Sequence, residues 1–152
     1  SDLNSLNVKD VEKAPLRVVT EIGGSPSLMI FLPGSEVVRL SGLAVDSSLE
    51  DGMRLVLVDF VEGAESVKVV RDGRSVVVEI VNPSVKTYFP RFEKVLGSLA
   101  TSIAGCVLAA LLGSPLAFRW ERVEGSRLRA MFELMESSTS AKAVGMSENV
   151  LP

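Results

Sequence analysis

The chain has 152 residues, 19 acidic against 16 basic side chains for a formal net charge of −3, no histidine and one cysteine. The missing histidines exclude a Ser-His-Asp or Cys-His catalytic arrangement, a histidine-ligated metal and a histidine pH switch. The single cysteine, Cys106, excludes an intrachain disulfide and a cysteine metal cluster. The mild acidity argues against nucleic acid as the partner. We therefore expect no cofactor, no metal and no enzymatic activity.

The length suits one domain with a sizeable hydrophobic core, which we place at residues 1–136, followed by a polar tail at 137–152. No basic region followed by an apolar run opens the chain, so we predict a cytoplasmic protein. The chain begins with Ser1 rather than Met. We interpret this as a processed end, with an upstream segment or a link to a membrane protein as a further possibility.

The N-terminal part predicts a meander of three strands, at residues 16–22, 27–32 and 36–45. A Gly-Gly-Ser-Pro turn closes the first strand and a Pro-Gly-Ser turn closes the second.

Residues 48–61 fit either a helix or a buried strand. Ser48 and Asp51 resemble a capping box, and the apolar residues that follow have helical spacing. Gly52 weakens a helix by about 1 kcal/mol relative to alanine. We favour a short helix at about 49–61 and leave the strand open.

Two hairpins are predicted in the C-terminal half. In the first, at 67–80, a type I′ turn at Asp72-Gly73 pairs Val69 with Val76. This register places one apolar set on a single face, namely Val67, Val69, Val76, Val78 and Ile80. In the second, a three-residue loop at 124–126 aligns the apolar sets of both strands. The predicted pairs are Trp120 with Ala130, Phe118 with Phe132, Leu116 with Leu134 and Glu121 with Arg129.

Residues 91–112 predict one long apolar helix, because no charged residue occurs from Val95 to Phe118. Such a run is long enough to span a bilayer, but its small polar residues and the sheet predicted on both sides favour a buried helix. Small residues recur at every fourth position, forming a stripe that permits close packing. They are Gly97, Thr101, Gly105, Ala109 and Gly113. The predicted fold is therefore α+β, an antiparallel sheet of hairpins packed on this central helix.

The order of features at residues 65–136 resembles an uncharacterised conserved archaeal protein family. The resemblance is carried by the Glu79–Ser84 segment, the small-residue helix, the Leu-Gly-Ser-Pro turn at 112–115 and the final hairpin. It implies an archaeal source and no particular activity. The abundance of valine and leucine, with few labile residues, is consistent with a heat-tolerant protein.

Lys86, Tyr88, Arg91 and Lys94 cluster at the predicted start of the long helix, where free N–H groups and the helix dipole favour an anion. Basic residues that are simply solvated also explain the cluster. An acidic stretch could offer paired carboxylates, but its spacing favours a solvated helix face. It comprises Asp46, Glu50, Asp51, Asp59 and Glu62. Cys106 is expected to be a buried, inert thiol.

Two functions follow. The first is a non-catalytic domain that self-associates, as a dimer, or binds a protein partner, through the small-residue helix or a strand edge. The alternative is a domain that binds or senses a small anionic ligand at the basic cluster.

Overall fold

The structure is a computed structural model that describes residues 19–22, 24–28, 32–84, 91, 93–94 and 97–135. The chain divides into two compact units, Phe31–Leu134 and the pair of terminal segments Ser1–Ile30 and Met135–Pro152. The expected domain at 1–136 and tail at 137–152 stay predictions.

In the terminal unit, a two-stranded hairpin joins β1 (Val19–Ile22) to β2 (Ser25–Leu28). Ile22 pairs with Ser25, so the two strands are joined by a connection of two residues. The described parts of the strands predicted at 16–22 and 27–32 pair as a hairpin, but Ser25 and Pro26, which the sequence assigns to the turn, lie in β2. Residues 16–18 and 29–31 of these predicted strands lie outside the described residues.

The predicted third strand, at 36–45, is wrong, because helix α1 spans Pro33–Leu40. Proline suits the first helical position, and Glu36 in the first turn is bound by Arg39 in the last, with an N–O distance of 2.7 Å. Gly34 is buried, and Val37 and Val38 are half-buried at helical spacing from it. This period, rather than the alternation of the apolar residues, determines the element.

The helix favoured at 49–61 is confirmed. Helix α2 (Leu49–Arg54) continues as a π-helix (Leu55–Phe60), with Val61 donating its N–H to the carbonyl of Val56. Ser48 caps α2, because its Oγ accepts the Asp51 N–H at 3.1 Å and donates to Asp51 Oδ2 at 2.7 Å.

Strands β3 (Ser66–Asp72) and β4 (Ser75–Val81) form the predicted hairpin, but its register is shifted by two residues. Val69 pairs with Val78 rather than Val76, because Gly73 and Arg74, not Asp72 and Gly73, form the turn. Of the turn residues Gly73 and Arg74, only Gly73 has a positive φ, +58°, as in a type II′ turn. Asp72 therefore does not adopt the left-handed conformation that the predicted type I′ turn would require of it. An even shift leaves every side chain on its predicted face.

Strands β5 (Leu116–Glu124) and β6 (Arg127–Leu134) complete a four-stranded antiparallel sheet in the order β3-β4-β6-β5. Phe118 pairs with Phe132, and Leu116 with Leu134, as predicted. The three-residue loop is wrong, since Glu124 pairs with Arg127 across a two-residue turn.

The extra residue predicted for that loop lies in a β-bulge between Phe118 and Trp120. The predicted partners of Trp120 and Glu121 are therefore wrong; they pair with Met131 and Ala130. A bulge and a longer loop both change the register by one residue, so the apolar pattern at Phe118 cannot distinguish them.

Helix α3 spans Leu99–Leu112, so the predicted helix at 91–112 is wrong in its first turns. Residues 91, 93 and 94 are helical, but Gly97 has φ +75° and donates its N–H to the Glu93 carbonyl at 2.9 Å. This is a left-handed helix cap, after which Ser98 starts α3. Among the described residues, no helix has the length and apolar character needed to cross a membrane.

The hydrophobic core lies between α3 and the sheet, with α1 packed on another side of α3. A Cβ at Gly105 would lie 2.9 Å from the Phe132 ring, and one at Gly34 would lie 2.8 Å from the Ile103 Cα. The Phe118 and Phe132 rings contact each other, with centroids 5.9 Å apart. An α+β fold is therefore confirmed, whereas one long central helix is not, because the longest helix of the described residues has 14 residues.

Candidate functional site

The described residues do not test the predicted anion site. Lys86 and Tyr88 lie outside the described residues. Arg91 and Lys94 are exposed and precede Gly97, so neither belongs to α3. A site formed by these four residues stays a prediction.

The N-terminus of α3 is bound by a carboxylate of the chain itself, that of Glu121. Its Oε2 accepts the backbone N–H of Ser98 at 2.8 Å and also the hydroxyl of Thr101. Ser98 Oγ in turn accepts the Thr101 N–H at 3.3 Å. Because the helix dipole favours negative charge here, an external anion would have to compete with Glu121.

This arrangement completes a capping box through tertiary structure. In the usual box, a Glu or Gln three residues after the N-cap accepts the N-cap N–H. Here that position holds Thr101, no acidic residue lies in the first turn, and the carboxylate comes from β5. A Cβ at Gly97 would lie 3.0 Å from Glu121 Oε2, so glycine leaves room for this contact.

The bulge in β5 brings Glu121 to α3. Glu121 pairs with Ala130, which is fully buried, so its side chain lies on the core face of the sheet. The predicted pairing of Glu121 with Arg129 would place this side chain on the opposite face of the sheet, so the role of Glu121 at α3 was not predicted. One signal in the sequence could have indicated this contact. The first turn of α3 has no acidic residue to accept the Ser98 N–H, so the acceptor has to come from elsewhere in the chain.

The outer face of the sheet carries an apolar row that crosses all four strands. Directly paired residues share a face, and each member is half-buried or exposed. The row consists of Val70, Val77, Met131 and Trp120. The Arg122 guanidinium lies 4.9 Å from the centroid of the Trp120 ring, a cation–π contact at one end.

A charged network lies beside this row and centres on Glu79. Its Oε2 accepts from Arg129 Nε at 2.8 Å, and Arg127 Nη1 lies 3.5 Å from Oε1. The hydrogen bond from Arg129, with the nearby positive charges, lowers the pKa of Glu79 below its ordinary value.

We expect the contribution of Glu79 to folding to decline in acid. A carboxylate whose pKa is lower in the folded state stabilises the fold above its unfolded pKa, about 4.3, and loses this effect as the pH falls through the folded pKa. Urea unfolding of the wild type and Glu79→Gln should give a free-energy difference that is constant near neutrality and shrinks below about pH 4.3. A difference that grows in acid would contradict the lowered pKa.

The edges of the sheet are β3 and β5. The bulge interrupts β5, whereas β3 pairs with β4 without irregularity. A two-residue turn makes Asp72 and Ser75 a hydrogen-bonded pair, so at every second residue, as at Val69 and Arg71, the N–H and C=O groups point away from β4. One of these groups already has a partner within the chain, because the Val69 N–H donates to Glu50 Oε2 at 3.3 Å.

The acidic stretch and Cys106 do not form a site within the described residues. All five residues of the acidic stretch are exposed, which agrees with a solvated surface. Burial raises the pKa of the half-buried Cys106 thiol, so little thiolate forms near neutrality. No group of three acidic or cysteine side chains within the described ranges could hold a metal ion.

Comparison with protein-family models and with curated proteins finds no match to this chain. The resemblance to an archaeal family therefore stays a prediction, and the function has to be inferred from the geometry of the described residues.

Proposed function

We propose that this protein is a non-catalytic association module that binds a second copy of itself through the free edge of β3. The two four-stranded sheets then join into one antiparallel sheet of eight strands. The observation that carries the proposal is that β3 is a regularly paired edge strand on which the residue Val70 is 53% exposed. An edge of this kind presents unpaired backbone groups to another strand.

Two further observations favour this surface over the others. The bulge in β5 makes that edge a poor template for pairing. The small-residue stripe of α3 packs against the protein's own sheet, because Gly105 contacts the Phe132 ring. Of the two predicted association surfaces, the helix and a strand edge, the edge is therefore the better candidate.

Glu50 does not prevent the pairing. Its side chain is exposed, and its bond to the Val69 N–H is long, at 3.3 Å. A carbonyl of the second copy would replace this acceptor without leaving either group unsatisfied.

Two substitutions at Arg71 test the proposal. Arg71 is exposed and its N–H points away from β4, so Arg71→Pro removes an edge donor without breaking a bond of the β3–β4 ladder. Arg71→Ala is the matched control, because it removes the side chain and keeps the N–H. We expect sedimentation velocity to show dimers for the wild type and Arg71→Ala, and monomers with an unchanged circular dichroism spectrum for Arg71→Pro.

A wild type that stays monomeric up to near-millimolar concentration would refute the proposed function. Dimers of Arg71→Pro would place the interface elsewhere than on β3. A cytoplasmic location and an anionic ligand stay predictions that no observation among the described residues favours.

A further inference from the structure

We infer that the two copies pair with Val70 of one copy opposite Val70 of the second, so that Lys68 of each lies opposite Asp72 of the other. The inference rests on the proposed association through β3 and adds to it the register of the pairing. Lys68, Val70 and Asp72 share the outer face of the sheet and are all exposed.

The backbone restricts the possible registers. The backbone groups of β3 that point away from β4 belong to Val67, Val69 and Arg71, so bonds between two antiparallel copies must join residues of this set. The register centred on Val70 does so, because it joins Val69 with Arg71 of the second copy. It also makes the two Val70 residues a non-hydrogen-bonded pair, in which side chains lie closest.

The side chains distinguish this register from its neighbours. Centring the pair on Val69 places Lys68 opposite Val70, and centring it on Arg71 places two like charges opposite each other. Centring it on Val70 places an apolar pair between two Lys68–Asp72 pairs of opposite charge. Opposite charges directly across two strands stabilise the pairing, and like charges destabilise it.

The apolar row gives independent support. Val70 is the end of the row that continues through Val77, Met131 and Trp120. Only the register centred on Val70 brings the ends of the two rows together. The joined sheet then carries one continuous apolar stripe across eight strands.

Charge reversal in two separate variants tests the register. In Lys68→Asp, both cross-copy pairs become Asp–Asp, and in Asp72→Lys both become Lys–Lys. We expect the dimer Kd of each variant to rise about tenfold or more. An equimolar mixture should form a heterodimer of near wild-type affinity, because both of its pairs again have opposite charges.

The mixture controls for effects inside one copy. Lys68 pairs with Glu79 within its own sheet, so Lys68→Asp introduces a repulsion there that is the same in the homodimer and the heterodimer. Sedimentation equilibrium with one fluorescently labelled variant measures the three affinities, and circular dichroism confirms that each variant is folded.

The outcomes separate the register from the proposed function. Recovery of affinity in the mixture supports the register. Homodimers of both variants with wild-type Kd, or no recovery on mixing, overturn the register while association of the wild type stands. A monomeric wild type overturns both.

Discussion

Replacing Glu121 with alanine is expected to cost about 2 kcal/mol in the free energy of unfolding. The substitution removes a charged acceptor from the Ser98 N–H and the Thr101 hydroxyl. Hydrogen bonds to charged groups contribute about 1.5–3 kcal/mol, and a carboxylate at a helix N-terminus adds about 0.3–1 kcal/mol through the dipole. Because Glu121 is half-buried, water recovers part of this loss. Urea unfolding followed by circular dichroism measures the change.

Two matched variants identify the cause. Glu121→Gln keeps the length of the side chain and one oxygen acceptor, so it should lose about half as much, mainly the effect of charge. Glu124→Ala removes from the same strand an exposed carboxylate whose Oε2 lies 4.0 Å from Arg129 Nη1. Its effect should stay within about 0.5 kcal/mol. Equal losses for Glu121→Ala and Glu124→Ala would show that the capping contact does not stabilise the fold.

The sequence predicts the elements that have strong periodicity and turn chemistry. The β3–β4 hairpin and the pairing of Phe118 with Phe132 follow from alternation, and α2 follows from its cap at Ser48. Each of these signals is local. A local pattern fixes which face a residue occupies, but it leaves even register shifts undetermined, and the hairpin register was wrong by such a shift.

The same limit explains why the sequence predicts a strand where the structure has helix α1. Val37 and Val38 favour a strand by propensity, and the sequence alone does not reveal that Gly34 would pack against the backbone of Ile103 in α3. Tertiary packing overrides propensity here. The end of the preceding helix at Gly97 was missed for a similar reason. A glycine at this position is compatible both with a small-residue stripe on one continuous helix and with a left-handed cap between two helices.

The candidate sites differ in how far the sequence could predict them. A strand edge as an interface was among the predicted surfaces, but choosing β3 needs the strand order and the bulge in β5. Glu121 at the N-terminus of α3 depends on a contact between residues 23 positions apart in sequence. No motif marks that contact, because its carboxylate comes from a different element.

Leu108→Ala is expected to have the largest effect, a loss of about 2–5 kcal/mol in the free energy of unfolding. Leu108 lies in α3, is fully buried and belongs to the hydrophobic core. The truncation removes apolar contacts and leaves a cavity that rigid neighbours fill only in part. Alanine has a helix propensity at least as favourable as that of leucine, so the loss reports packing rather than helix formation.

Leu40→Ala provides the matched comparison. The chemistry and the helical setting are the same, but Leu40 ends α1 with 61% of its surface exposed. Its loss should stay within about 0.5 kcal/mol, measured by the same urea titration. A loss at Leu40 as large as that at Leu108 would mean that Leu40 is covered in solution. In that case, an association surface on α1 would have to be tested in the same sedimentation experiments as β3, with Leu40→Ala beside Arg71→Pro.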